Sequence, residues 1–67
     1  MQVQINGSVM ELSSKIETVA QLMEHLDLKS PIIIVEHNKN ILQKEDHKTT
    51  IVEDGDTIEF VQFVGGG

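Results

Sequence analysis

The carboxyl end of this 67-residue chain runs from residues of high strand propensity, Ile58 to Val64, straight into Gly65-Gly66-Gly67. Three glycines make a ribbon without side chains, roughly 10 Å long when extended, that can enter a slot too narrow for any other residue. Glycine loses more freedom on ordering than any other residue, so the tail of residues 65–67 is expected to stay mobile in the free protein. At its tip stands the α-carboxylate of Gly67. Such a group titrates at about 3.3 to 3.7, so it is ionised at neutral pH and can attack a nucleotide α-phosphate without a general base. The product of that attack is an acyl-adenylate, from which a sulfur nucleophile can displace AMP.

Other routes to chemistry are poorly supplied. Cysteine is absent, which removes disulfides, thiolate nucleophiles and cysteine-ligated metal together. His25, His37 and His47 have neither the i, i+4 nor the H-x-H spacing that converges on zinc, and they read as solvated or half-buried residues. Glu45/Asp46 and Asp54/Asp56 fall in loop and turn sequence with no twelve-residue calcium pattern around them. No resident metal or cofactor is expected.

Size and charge narrow the function classes further. A chain this short hides only about 60% of the surface it exposes when unfolded, and a substrate cleft of ~300 Å³ would hollow out most of its core. A self-contained enzyme is therefore not expected. Five lysines and no arginine stand against 11 acidic residues, for a net charge of −6. Nucleic-acid binding loses its electrostatic support, whereas a basic protein partner gains some, although acidity also simply keeps a small domain soluble. The first residues carry no basic leader and no apolar signal segment, and the longest uninterrupted apolar run is Pro31 to Val35. The chain is expected to stay in the cytoplasm and not to enter a membrane.

The elements that must hold the tail follow from periodicity. Met1, Val3 and Ile5 alternate with polar residues as in a half-buried strand, and Asn6-Gly7 supplies a tight hairpin turn. Residues 9–12 return antiparallel, with Val9-Met10 leaving the inward register open. From Thr18 the period becomes helical: Val19, Leu22, Met23 and Leu26 form one stripe, Thr18 and Gln21 fit a capping box, and Pro31 keeps the helix from running on. A helix is expected over residues 18–26. Ile32 to Val35 is β-branched throughout and is expected to be a strand covered on both faces. Ile41-Leu42 begins a short partner strand, residues 43–50 read as a surface loop, and Asp54-Gly55-Asp56 as a turn before a last strand over 57–64. In that strand Ile58, Phe60, Gln62 and Val64 share one face. Glu59, Val61 and Phe63 share the other, where an outward Val61/Phe63 pair is either covered structure or a docking patch.

Hairpin, helix, strand, short strand, loop and strand fit compactly if the first and last strands lie side by side in the middle of a mixed sheet. That is an α+β, β-grasp arrangement with four to five strands and one main helix packed across them. Residues 1–64 make the domain and 65–67 the tail.

Across almost its whole length the chain also resembles a known family. The opening strand with Asn6-Gly7, Thr18-Val19-Ala20-Gln21-Leu22, Ile34-Val35-Glu36-His37-Asn38, Asp54-Gly55-Asp56-Thr57-Ile58-Glu59 and Phe63-Val64-Gly65-Gly66-Gly67 is similar to the sulfur-carrier proteins of thiamine biosynthesis. The Asp-Gly-Asp turn, last strand and terminal glycines together are the specific part. The resemblance implies a ubiquitin-like β-grasp protein that is a co-substrate rather than an enzyme. An adenylyltransferase related to ubiquitin activators adenylates Gly67, a sulfur donor system converts it to a thiocarboxylate, and thiazole synthase receives the sulfur. On the same resemblance, ATP and its metal would belong to the activating enzyme, and the free carrier is expected to be a monomer. Gly65 and Gly66 would thread into partner active sites, while Glu59, Val61, Phe63 and Val64 would dock. The small subunit of molybdopterin synthase shares the fold and the terminal glycines, but is usually longer. A ubiquitin-like modifier joined to lysines and a non-covalent binding module are alternatives of another class.

Overall fold

The computed structural model describes residues 1–63, and Val64 and the three glycines lie outside the described residues. Strands β1 (Gln2–Ile5) and β2 (Ser8–Glu11) form an antiparallel hairpin. Asn6 and Gly7 have φ of 49° and 84°, the two left-handed positions that match the turn to the right-handed twist of the strands. Val3 pairs with Met10, which turns Met10 and the buried Leu12 inward and leaves Val9 exposed, and so fixes the register that alternation left open.

Helix α1 (Val19–His25) begins at a complete capping box. The Gln21 backbone N–H donates to Thr18 Oγ1 at 3.2 Å, and the Thr18 N–H donates to Gln21 Oε1 at 2.9 Å. It ends where expected, with Leu26 as the C-cap, but by a different device. The chain turns at Asp27, whose φ is 58°, with Asp27 N–H donating to the Glu24 carbonyl and Leu28 N–H to that of Met23. This paired closure is a Schellman stop, so the helix ends locally, ahead of Pro31.

Strands β3 (Ile32–His37) and β4 (Asn40–Ile41) form a second hairpin through Asn38 and Lys39, again both at positive φ. A short 3₁₀ helix, Lys44–Asp46, lies in the loop that follows, and β5 (Thr57–Phe63) completes the sheet. The order is β2-β1-β5-β3-β4, with β1 and β5 parallel and every other pair antiparallel. First and last strands therefore lie side by side, as the element order requires.

The core lies between one face of this sheet and α1. Val3, Ile5, Leu12, Val35, Ile58 and Phe60 meet Val19 and Leu22 there, with Ile16 and Val52 closing the sides. Each such side chain stabilises the fold by roughly 1.5–3 kcal/mol relative to exposure. β3 corrects the reading of a strand covered on both faces. Val35 is fully buried, but Ile32 and Ile34 are exposed on the opposite face. One seven-residue helix covers one side of five strands, and nothing else in the described chain crosses the other.

Candidate functional site

A contiguous apolar group on the uncovered face of the sheet lies on β3, β4 and the end of β5. The β3–β5 register sets Ile32 against Phe63, Ile34 against Val61 and Glu36 against Glu59, and Glu36 also pairs with Ile41 of β4. Alternation sends all of these side chains to the side away from α1. Ile32 is 57% exposed, Ile34 39%, Ile41 60%, and Val61 and Phe63 51% each. Large apolar side chains left in water as one group, instead of scattered singly, are the signature of a docking surface.

The end of β5 stands apart from the rest of its strand. β1 pairs with β5 only through Gln4–Thr57 and Ile5–Ile58. Beyond that point the Asn6 side-chain amide takes over: Phe60 N–H donates to Asn6 Oδ1 at 2.7 Å, and Asn6 Nδ2 donates to the Phe60 carbonyl at 3.3 Å. Val61 to Phe63 then continue with β3 as their ladder partner. Ser30 Oγ donates to Gln62 Oε1 at 2.9 Å and ties the entry of β3 to this segment. The chain passes to Val64 from a strand end that sits against Ile32 on the exposed apolar face.

At the opposite end of β5 a buried carboxylate fixes the strand's start. Asp56 Oδ2 lies 2.7 Å from His37 Nε2 and accepts from the Glu53 N–H at 2.9 Å, while Oδ1 accepts from Asn38 Nδ2 at 3.1 Å. Asn38 closes the link, since its Oδ1 accepts from the Thr57 N–H and its own N–H donates to the Thr57 carbonyl. Burial pushes the Asp56 carboxyl up, but the Glu53 N–H, the His37 ring and the Asn38 amide outweigh it and hold the group below the usual carboxylate range. Asp56 and His37 are thus a structural clasp between the β3–β4 turn and β5. Among the described residues no cluster of three or more His, Asp and Glu could hold a metal ion.

Of the residues singled out from sequence, Val61 and Phe63 stand exposed on the outer face, with Glu59 half-buried beside them. Val64, Gly65, Gly66 and Gly67 fall outside the described residues. Ile32, Ile34, Glu36 and Ile41 join the same surface and were missed. The available signal was arithmetic: a single short helix cannot cover both sides of the sheet, so the run of isoleucines must leave every second residue in the open.

The profile of the ThiS family matches residues 3–67, the last strand and terminal glycines included. The chain belongs to the ThiS family. The sulfur carrier protein ThiS of Bacillus subtilis (strain 168) is 39% identical over 64 residues, spanning 96% of this chain and 97% of that one. A protein named thiazole synthase, from Paramagnetospirillum magneticum (strain ATCC 700264 / AMB-1), is 37% identical over all 67 residues, which make up 20% of its own length. Among solved structures, the thiamine biosynthesis protein ThiS from Geobacter metallireducens superposes with a TM-score of 0.85 at 32% identity, each chain covered completely. The fold is accordingly the ubiquitin-like β-grasp of ThiS proteins, with five strands and one α-helix among the described residues.

Proposed function

We propose that this chain is the sulfur carrier of thiamine biosynthesis and that its reactive group is the α-carboxylate of Gly67. The match to the ThiS family through residue 67 carries the reading. A carboxylate oxygen of Gly67 attacks the α-phosphorus of ATP in an adenylyltransferase related to ubiquitin activators, and pyrophosphate leaves. Sulfide delivered by the donor system then attacks the acyl carbon, a C–S bond forms as the C–O bond to AMP breaks, and with loss of a proton the terminus ends as a thiocarboxylate. Thiazole synthase takes the sulfur from there. The relative named thiazole synthase supports that partner, since it contains in one polypeptide a segment like this entire chain.

Each part of the chain has a role in this scheme. Residues 65–67 thread into partner active sites, where Gly66 keeps the approach thin and Gly65 lengthens it. Glu59, Val61 and Phe63, joined by Ile32, Ile34 and Ile41, give partners a surface to grip, with Val64 at the root of the tail. The chain is a protein co-substrate. ATP and its metal stay with the activating enzyme, and the carrier works in the cytoplasm as a monomer when free.

The test is to incubate the chain with its adenylyltransferase, ATP and a sulfur donor and to weigh it intact. A mass gain equal to one oxygen replaced by one sulfur, confined to the terminal peptide, is expected. Branched lysine peptides would indicate a ubiquitin-like modifier, and an unchanged mass a non-covalent module.

A further inference from the structure

The exposed face is not uniformly apolar. Glu36 and Glu59 are directly opposed across the β3–β5 ladder, and both are half-buried. They line one shallow depression together with Ile34, Ile41 and Val61, and Lys39 lines it too. Neither carboxylate forms an ion pair among the described residues, whose salt bridges are Met1–Glu11, Lys29–Asp27 and His37–Asp56. Like charges directly opposed on one face of a sheet oppose the strand pairing that creates them, and apolar neighbours deprive them of part of their hydration. Lys39, the lysine that shares the depression, forms an ion pair with neither carboxylate. A cation placed between the two carboxylates would relieve the repulsion and satisfy both.

Resting on the function proposed above, we infer that Glu36 and Glu59 are the specificity-determining residues of the docking face. The surface of thiazole synthase seated on that face presents one lysine or arginine side chain between them, framed by apolar groups that meet Ile34, Ile41 and Val61. Arginine suits the position better, because its planar fork of donors can serve two carboxylates at once. The carrier's net charge of −6 favours approach of such a basic spot, and the apolar frame strengthens the pair by excluding water. A purely apolar partner would instead have to desolvate both carboxylates without compensation.

The experiment is a binding titration of the full chain against thiazole synthase from the same organism, at low and at high salt. It uses wild type, Glu36→Gln, Glu59→Gln and the double variant, with Glu24→Gln on α1 as a control outside the docking face. The double variant is expected to lose affinity by about tenfold or more and to show a flatter salt dependence, while the control matches wild type. Its unfolding temperature should equal or exceed that of wild type, because the repulsion has gone; that readout separates lost docking from lost fold. Unchanged affinity and salt dependence in the double variant, with wild type binding normally, overturns this inference and leaves the proposed function standing. A wild-type chain that acquires the thiocarboxylate but does not bind thiazole synthase overturns the assigned acceptor and this inference with it.

Discussion

The two faces of the sheet are made from the same strands and much the same residue types, yet they have opposite fates. On β3, Val35 is completely buried while Ile34 beside it is 39% exposed; on β5, Phe60 is 7% exposed and Val61 51%. A step of one residue along a strand is enough to move a side chain from core to solvent. The helix-side face accounts for stability. The outer face retains apolar area that folding did not require, next to the strand end from which the tail departs. Cohesion thus falls to one set of alternate residues, and the docking proposed above would fall to the other set on the same strands.

This division can be broken most forcefully from the buried side. Leu22→Ala, on the sheet-facing side of α1 with its side chain fully enclosed, should cost about 2–5 kcal/mol in a urea titration. A domain of this size commonly has no more than about 5–15 kcal/mol in total, so much of the chain would unfold. Partner affinity corrected for the folded fraction should be unchanged. A cost below about 1 kcal/mol would mean that the helix does not close the core as described.

A middle-sized effect is expected at Asp56, which belongs to neither face. Asp56→Ala leaves the Glu53 N–H and the Asn38 amide without their acceptor and should cost about 2 kcal/mol. The pH dependence has a definite sign. Because the folded pKa is held below the unfolded one of about 3.9, the stabilisation is fully present above that value and lost as pH falls through the folded pKa. Unfolding titrations below about pH 4 should therefore show a steeper loss of stability in wild type than in Asp56→Asn. Equal slopes would remove Asp56 from the account of how β5 is anchored.

The smallest effect on stability, and the sharpest contrast, belongs to Phe63→Ala. A half-exposed ring at a strand end should cost under about 1 kcal/mol of stability. Affinity for the adenylyltransferase or thiazole synthase should fall by about tenfold or more if the ring anchors the interface. A large loss of stability with unchanged affinity would return Phe63 to the core.

Much of this architecture is legible from local chemistry. Asn6-Gly7 forces its turn through positive φ, and the Thr18–Gln21 box and the stripe of Val19, Leu22, Met23 and Leu26 set the helix start and its buried face. Ile58 and Phe60 are inward by simple alternation. What escaped depends on contacts distant in sequence. Ile32 to Val35 has no alternation to show which face is covered, because every residue is β-branched and apolar; the answer lies in how much sheet one helix can span. The Asn6 clamp on Phe60 and the Asp56–His37–Asn38 clasp join residues many positions apart through side-chain hydrogen bonds, which composition cannot reveal. Val9 is outward only because Val3 pairs with Met10, a register set by the turn and not by the hydrophobicity of β2 itself. At the terminal glycines, which lie outside the described residues, the absence of side chains points to the main-chain carboxylate as the proposed reactive group.

The central claim is that the fold serves as a grip and that the reaction takes place at Gly67. The most direct measurement compares thiazole formation by the complete enzyme system supplied with the native chain and with the same chain ending in a Gly67 carboxamide. The amide has the whole docking face but no carboxylate to adenylate, so it should bind partners and support no thiazole formation. Turnover at the native rate from the blocked chain, verified intact by mass at the end of the assay, would contradict the account.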